Sequence, residues 1–259
     1  MKKILIALGI GIAALIIFAA GYFLVMRHEM KQMATVETGK ITDQVYAIKD
    51  SYVNVYAVGS DSGYIMIDAG NNSETIEAGL VGLNIDPAKV KAIFLTHTDG
   101  DHVASIPLFP NAAVFLSRQE EQMINGATGR FLFFGNKISA KKSTLVDDGQ
   151  VINLPGISIK GILSPGHTPG SMCYLVDEKY LFTGDVLSLK AGKVAAFSKF
   201  INMDTKTDRE SIDKLSRLKN VSYILTAHFG VSNDFGAAFK DWHFSNADGS
   251  PTPSGLIDH

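Results

Sequence analysis

The hexapeptide His97-Thr98-Asp99-Gly100-Asp101-His102 follows directly on the apolar run Val-Lys-Ala-Ile-Phe-Leu-Thr at residues 90–96. A short, largely apolar run of this kind reads as a buried strand. A cluster of lone-pair donors can follow such a strand only where it ends and side chains reach the surface without loss of core. The same arrangement recurs further along the chain. Gly166-His167-Thr168-Pro169-Gly170 is a tight turn after a strand pattern at 157–163, Thr183-Gly184-Asp185 closes another strand, and His228 follows the strand pattern at 222–226. Imidazole nitrogens and carboxylate oxygens presented together are a donor set for divalent metals. Taken alone, the hexapeptide also reads as a solvated polar turn, because Asp and Gly are ordinary turn residues.

The remaining pattern predicts strands at 41–48, 52–58 and 64–67, a helix over 73–83 with Ser73 as its N-cap, and a helix from about Asp101. A strand at 113–116, a helix at 117–124 and an irregular segment over 125–143 follow, then four short strands up to Thr183, a helix at 208–218 and the strand at 222–226. Strand meanders interleaved with helices predict an α/β protein with sheets inside and helices outside. No short-period repeat is present. The 259 residues leave, beyond the first thirty, about 230 for one large domain. The expected division is a membrane anchor at 1–30, a linker at 31–40, a catalytic domain at 41–230 and a Gly-, Ser-, Asn- and Pro-rich extension at 231–259.

The anchor is expected because Lys2 and Lys3 precede an uncharged, mostly apolar run from Ile4 to Met26, followed by Arg27 and Lys31. A bilayer span needs roughly 20 apolar residues, whereas the apolar centre of a cleaved signal is about 7–15. Phe18-Ala19-Ala20-Gly21 is a poor cleavage pattern, so an uncleaved single-pass helix is the expectation. Lys2 and Lys3 place the N-terminus inside and the domain extracytoplasmic, an asymmetry blunted by Arg27 and Lys31. With 24 basic and 26 acidic residues the chain lacks the positive surplus that draws proteins to nucleic acid. The single cysteine, Cys173, lies in an apolar run and reads as a small buried hydrophobe.

The joint occurrence of these motifs resembles the metallo-β-lactamase superfamily, whose pattern is His-x-His-x-Asp-His, a Gly-His-Thr-Pro-Gly turn, an aspartate in Thr-Gly-Asp and a late histidine. The likeness covers about residues 40–230 and includes Ile67-Asp68-Ala69-Gly70. It implies a four-layer αβ/βα sandwich preceded here by the transmembrane helix. It also implies a hydrolase holding two divalent ions, with zinc first and manganese or iron as alternatives. On that resemblance His97 and His167 belong to the first metal site, Asp101, His102 and His228 to the second, and Asp185 bridges them. The chain departs from the pattern at Asp99, where the second histidine is expected. A carboxylate there either ligates, making the site richer in oxygen and less positive, or faces solvent and leaves the first site one ligand short.

The implied chemistry is attack by a bridging hydroxide, oriented by Asp101, on an ester, thioester, lactone, amide (including a β-lactam) or phosphoester of a small molecule. Two other classes share the residues: an iron-dependent redox enzyme like the persulfide dioxygenases, and a non-catalytic anchored binding module. Two loops are further candidates, the apolar insertion 130–135 as a lid or a core segment, and 187–203 as a substrate contact or a solvated loop.

Overall fold

The computed structural model describes residues 2–130, 135–140 and 142–242; most of the apolar insertion, 131–134, therefore lies outside the described residues. The chain divides into two units, Met1–Met33 and Ala34–His259. The first consists of helix α1, Lys2–Lys31. Its segment Ile10–Lys31 is long and apolar enough to cross a membrane, a criterion that a signal sequence also meets.

The second unit opens with strands β1 (Gly39–Lys40), β2 (Val45–Asp50), β3 (Val53–Ser60) and β4 (Gly63–Ile67), followed by helix α2 (Ser73–Gly82) and strand β5 (Val90–Phe94). Next come the single turn α3 (Gly100–Val103), β6 (Ala113–Ser117), the short helix α4 (Glu121–Ile124) and β7 (Ser143–Val146). These strands form one sheet in sequence order, antiparallel from β1 to β4 and parallel from β4 to β7. The chain then runs through β8 (Val151–Leu154), β9 (Ile157–Leu163), β10 (Met172–Val176), β11 (Tyr180–Gly184), the hairpin β12 (Leu187–Lys190) and β13 (Lys193–Ala196), helix α5 (Thr205–Ser216), β14 (Tyr223–Thr226), β15 (Val231–Ser232) and helix α6 (Phe235–Phe239). The second sheet has the order β15-β14-β11-β10-β9-β8, with β11 and β14 its parallel pair.

Successive strand side chains point to opposite faces, and the buried residues divide accordingly. Tyr56, Val58, Ile65, Ile67 and Phe94 of the first sheet meet Ile159, Met172, Tyr174, Phe182 and Leu225 of the second in a central core. Their alternates Val55, Ala57, Met66 and Ile93 pack outward with Ile76 and Leu80 of α2. Cys173, Leu175, Leu181 and Ile224 pack outward with Ile212 and Leu215 of α5 and Phe239 of α6. The result is a helix–sheet–sheet–helix sandwich, and each fully buried aliphatic or aromatic side chain contributes about 1.5–3 kcal/mol by leaving water. Phe94 shows the fit: its ring stacks on Phe115 at 4.6 Å and meets Tyr174 edge-on at 5.3 Å, while the Tyr174 hydroxyl donates to the Leu95 carbonyl across the sheets, 2.9 Å.

Several elements differ from expectation. The N-cap of α2 is Asn72, whose side chain accepts from the Thr75 amide. The helix expected from Asp101 is one turn long. Five strands, not four, lie between Ser143 and Gly184, and the loop expected after Leu187 contains the hairpin β12–β13, turned by Ala191 and Gly192 at φ 50° and 75°. The segment just after residue 230 is not a loose extension, because β15 pairs with β14 and Ala238 and Phe239 are buried.

Candidate metal centre

Strand β5 and its continuation deliver the hexapeptide to the end of the first sheet. The Thr96 amide and hydroxyl both donate to the Asp68 carboxylate, 2.7 and 2.8 Å, and this fixes the chain where it leaves the sheet. Asp99 sits at the N-cap of α3 without capping it through its side chain. The single turn then places Asp101 and His102 on the same side as His97. His167 is held in a turn that only glycine permits: Gly166 has φ +140° and a Cβ there would lie 2.3 Å from the Asp208 backbone, while a Cβ on Gly170 would lie 2.1 Å from the Glu120 amide nitrogen. Asp185 follows Gly184, which has φ +52° and no room beside Thr96. His228 lies just beyond β14, its ring stacked on Tyr52 at 5.8 Å.

Each imidazole is oriented by a bond to Nδ1 that leaves Nε2 facing a common centre. His102 Nδ1 donates to Asp68 Oδ2 at 2.8 Å, His228 Nδ1 to the Tyr52 carbonyl at 2.6 Å and His167 Nδ1 to Asn202 Oδ1 at 3.1 Å. His97 Nδ1 lies 3.1 Å from Thr96 Oγ1, whose own proton is directed at Asp68. Such outer partners set tautomer and aim in metal-binding histidines. Two clusters result, His97 with His167 and Asp185, and Asp101 with His102 and His228; within each, potential ligand atoms lie within 4.8 Å of one another. Asp185 spans both, its oxygens 3.4 Å from His102 Nε2, 3.4 Å from His167 Nε2 and 3.2 Å from His228 Nε2.

These donors fit a divalent ion. His97 Nε2, His102 Nε2 and Asp185 Oδ1 are buried without a hydrogen-bond partner, an arrangement costly enough that native interiors rarely tolerate it. The charges agree. Burial opposes charge on His102 and His228, but Asp185 above all, with Asp68 and Asp101 at His102 and Asp101 at His228, holds both imidazoles above their ordinary pKa, so an entering cation displaces protons there. For Asp185 burial is likewise overcome, by His228 and His102, and its carboxyl stays well below the usual range.

Asp99 belongs to neither donor group although it borders the first. Its Oδ2 is 3.4 Å from His97 Nε2 and 3.3 Å from His167 Nε2, yet both oxygens are already engaged. Arg130 Nε donates to Oδ1 at 2.8 Å, Arg130 Nη2 reaches Oδ2 at 2.5 Å, and Asn136 Nδ2 donates to Oδ1 at 2.9 Å. Arg130 Nη2 also lies 2.6 Å from His167 Nε2, and burial together with Arg130 pulls His167 down to a pKa of about 4.

Sequence reasoning did not single out Arg130, Asn136 or Asn202 for the centre, and it quoted Asp68 without a role. It also passed over Glu120, fully buried, which accepts from the Thr98 amide and hydroxyl and from the Thr168 hydroxyl, 2.8, 2.7 and 2.7 Å, tying the hexapeptide to the His167 turn. Asp68 and Glu120 carried a signal, since isolated acids within apolar or capping segments are rarely buried without work to do. Cys173 is buried and burial pushes its thiol up to about 12, consistent with packing and not with nucleophilic attack.

The metallo-beta-lactamase superfamily model matches residues 48–228, a span that contains every one of these donors. The chain belongs to the metallo-beta-lactamase superfamily. Among curated members it is 31% identical over 152 residues to the probable polyketide biosynthesis zinc-dependent hydrolase BaeB of Bacillus velezensis, covering 56% of this chain and 62% of that one. It is 29% identical over 141 residues to the atrochrysone carboxyl ACP thioesterase of Emericella nidulans, covering 51% and 39%. The chain thus spans less than two thirds of the length of these relatives. Among solved structures, the Cronobacter sakazakii metallo-beta-lactamase with a HARLDQ motif superposes with a TM-score of 0.60 at 22% identity, over 76% of this chain and 80% of that one. A B3 metallo-beta-lactamase with an active-site glutamic acid superposes with a TM-score of 0.63 at 19% identity, over 83% and 89%. At these identities the likeness is one of fold, and it places this superfamily member's sandwich beside theirs.

Proposed function

We propose that the protein is a membrane-anchored, metal-dependent hydrolase of thioesters or related esters of small molecules, with its domain on the extracytoplasmic side. The observation that carries this reading is the convergence of four imidazoles and Asp185 with buried, unpartnered donor atoms. His97, His167 and Asp185 would hold one ion and Asp101, His102, His228 and Asp185 a second, zinc being the first expectation. A divalent ion held by these residues would supply Lewis-acid chemistry, lowering the pKa of a water toward neutrality and polarising a scissile carbonyl.

The chain's own residues do the rest. Asp101 is the more exposed acid of the second cluster, its side chain 19% accessible, with Oδ2 3.5 Å from His228 Nε2 and 3.8 Å from His102 Nε2. It is placed to accept the proton of an attacking water and to aim that water at a substrate entering from the open side. Asp185, at 6%, instead holds the clusters together. The thioester preference draws on the names of the relatives, and the anchor on α1.

The test is metal quantitation on the detergent-solubilised full chain, followed by turnover of a panel of thioesters, esters, lactones, β-lactams and phosphodiesters. Asp101→Asn is expected to abolish turnover of whichever class is active and to leave the circular dichroism spectrum unchanged. Near-native turnover by that variant removes the role assigned to Asp101, and a chain that binds no divalent metal removes the hydrolase reading altogether.

A further inference from the structure

The two clusters are chemically unequal. The Nε2 of His102 in the second is buried and unpartnered, and so is that of His97 in the first; the difference lies at His167. In the first, the Nε2 of His167 faces an N–H of Arg130 at 2.6 Å. A guanidinium nitrogen only donates, so His167 spends on Arg130 the lone pair that an ion would need. The same guanidinium grips Asp99 with two prongs, Nε to Oδ1 and Nη2 to Oδ2, and Nη1 donates to the Ile201 carbonyl at 2.6 Å. Arg130 is thus fastened at three points, to α3's N-cap residue, to the His167 turn and to the segment before α5, and only 21% of its side chain is accessible. Planar, bidentate arginine–carboxylate pairs of this kind are the strong ones, and this one brings its positive charge to 2.6 Å from the His167 nitrogen that a second cation would have to use.

Resting on the reading of the clusters as metal sites, we infer that Arg130 is the resident cation of the first cluster and makes metal loading sequential. One divalent ion binds tightly through Asp101, His102, His228 and Asp185, and a second enters between His97 and His167 only when Arg130 releases His167. Asp99, in this arrangement, is the anchor of the arginine and not a standing metal ligand. The substitution of aspartate for the expected histidine and the presence of an arginine opposite it are one device: a carboxylate takes both prongs of the guanidinium, where an imidazole has a single acceptor to offer.

Zinc titration of the chelator-stripped full chain in detergent, followed by calorimetry and by native mass spectrometry, tests this. The expected result is one tight equivalent and a second at least 100-fold weaker. In Arg130→Ala the second equivalent tightens at least 10-fold. Arg130→Lys, which keeps a charge but loses the fork, tightens it less. If Arg130→Ala does not fold, Arg130→Met retains the aliphatic stem and takes its place. Two equivalents of equal affinity in the native chain, or a second affinity unmoved in the variants, overturn the inference while leaving the hydrolase reading standing. No zinc bound by native chain and variants alike would instead remove the metal-site reading on which it rests.

Discussion

At the scale of single residues, the centre is held from behind. His102 takes its aim from Asp68, an acid that also fixes Thr96 by two bonds. Removing the charge keeps the shape but weakens the pull on Nδ1–H, and loss of such a partner typically costs 10–100-fold in metal affinity. Asp68→Asn is therefore expected to weaken zinc binding by about that factor with little change in secondary structure, as read by competition with a chromogenic chelator. Proximity in sequence explains what could be read beforehand. His97, Asp99, Asp101 and His102 are neighbours in the chain, whereas Arg130 lies 31 positions from Asp99 and Asn202 lies 35 from His167. Polar pairs at such separations leave no periodic trace, since only the folded backbone brings them together.

At the scale of elements, the strands were readable because burial on both faces leaves them as short, nearly continuous apolar runs, and the turns were less so. Ala191 at φ 50° supports a tight hairpin although Asn and Gly are the usual occupants of that region, so composition there suggested a loop. The helix after Asp101 stops after one turn, and Pro107 follows close behind in a separate tight turn. The Gly166–Gly170 turn, by contrast, announced itself, and the structure gives the reason: both glycines lie against backbone, of α5 and of the segment 118–120. Gly170→Ala is expected to destabilise the fold by about 1–3 kcal/mol, as overpacking against an immovable neighbour does. A lowered urea midpoint with an unchanged slope would register it, and a native midpoint would show that the 118–120 segment can yield.

At the scale of the whole molecule, one buried acid couples stability to pH. Asp208 on α5 is fully buried, and burial, only partly offset by Asn202 and Arg209, raises its carboxyl from 3.8 to about 8. Folding therefore takes up a proton between those values. The stability from this group is complete below 3.8 and is lost as pH rises to about 8. Asp208→Asn should flatten that decline, a difference visible in melting temperatures recorded across the window; parallel curves for the two proteins would show that Asp208 does not titrate there. Chelation is the second global lever. His97, Asp101 and His102 come from the first sheet and His167, Asp185 and His228 from the second, so any bound ion cross-links the sandwich. Ligand held at 100 times its Kd stabilises by about 2.7 kcal/mol, and excess EDTA should lower the melting temperature correspondingly.

The division of the donors between sheets also sets an order in time. The ribosome releases the hexapeptide long before it releases His228, and until β14 has docked against β11 there is no pair of clusters to fill. A growing chain that has passed Asp185 already carries every donor of the first cluster, whereas the second still lacks His228. Filling of the second cluster is thereby postponed until β14 is in place, and an ion captured before then has only part of the centre to hold it.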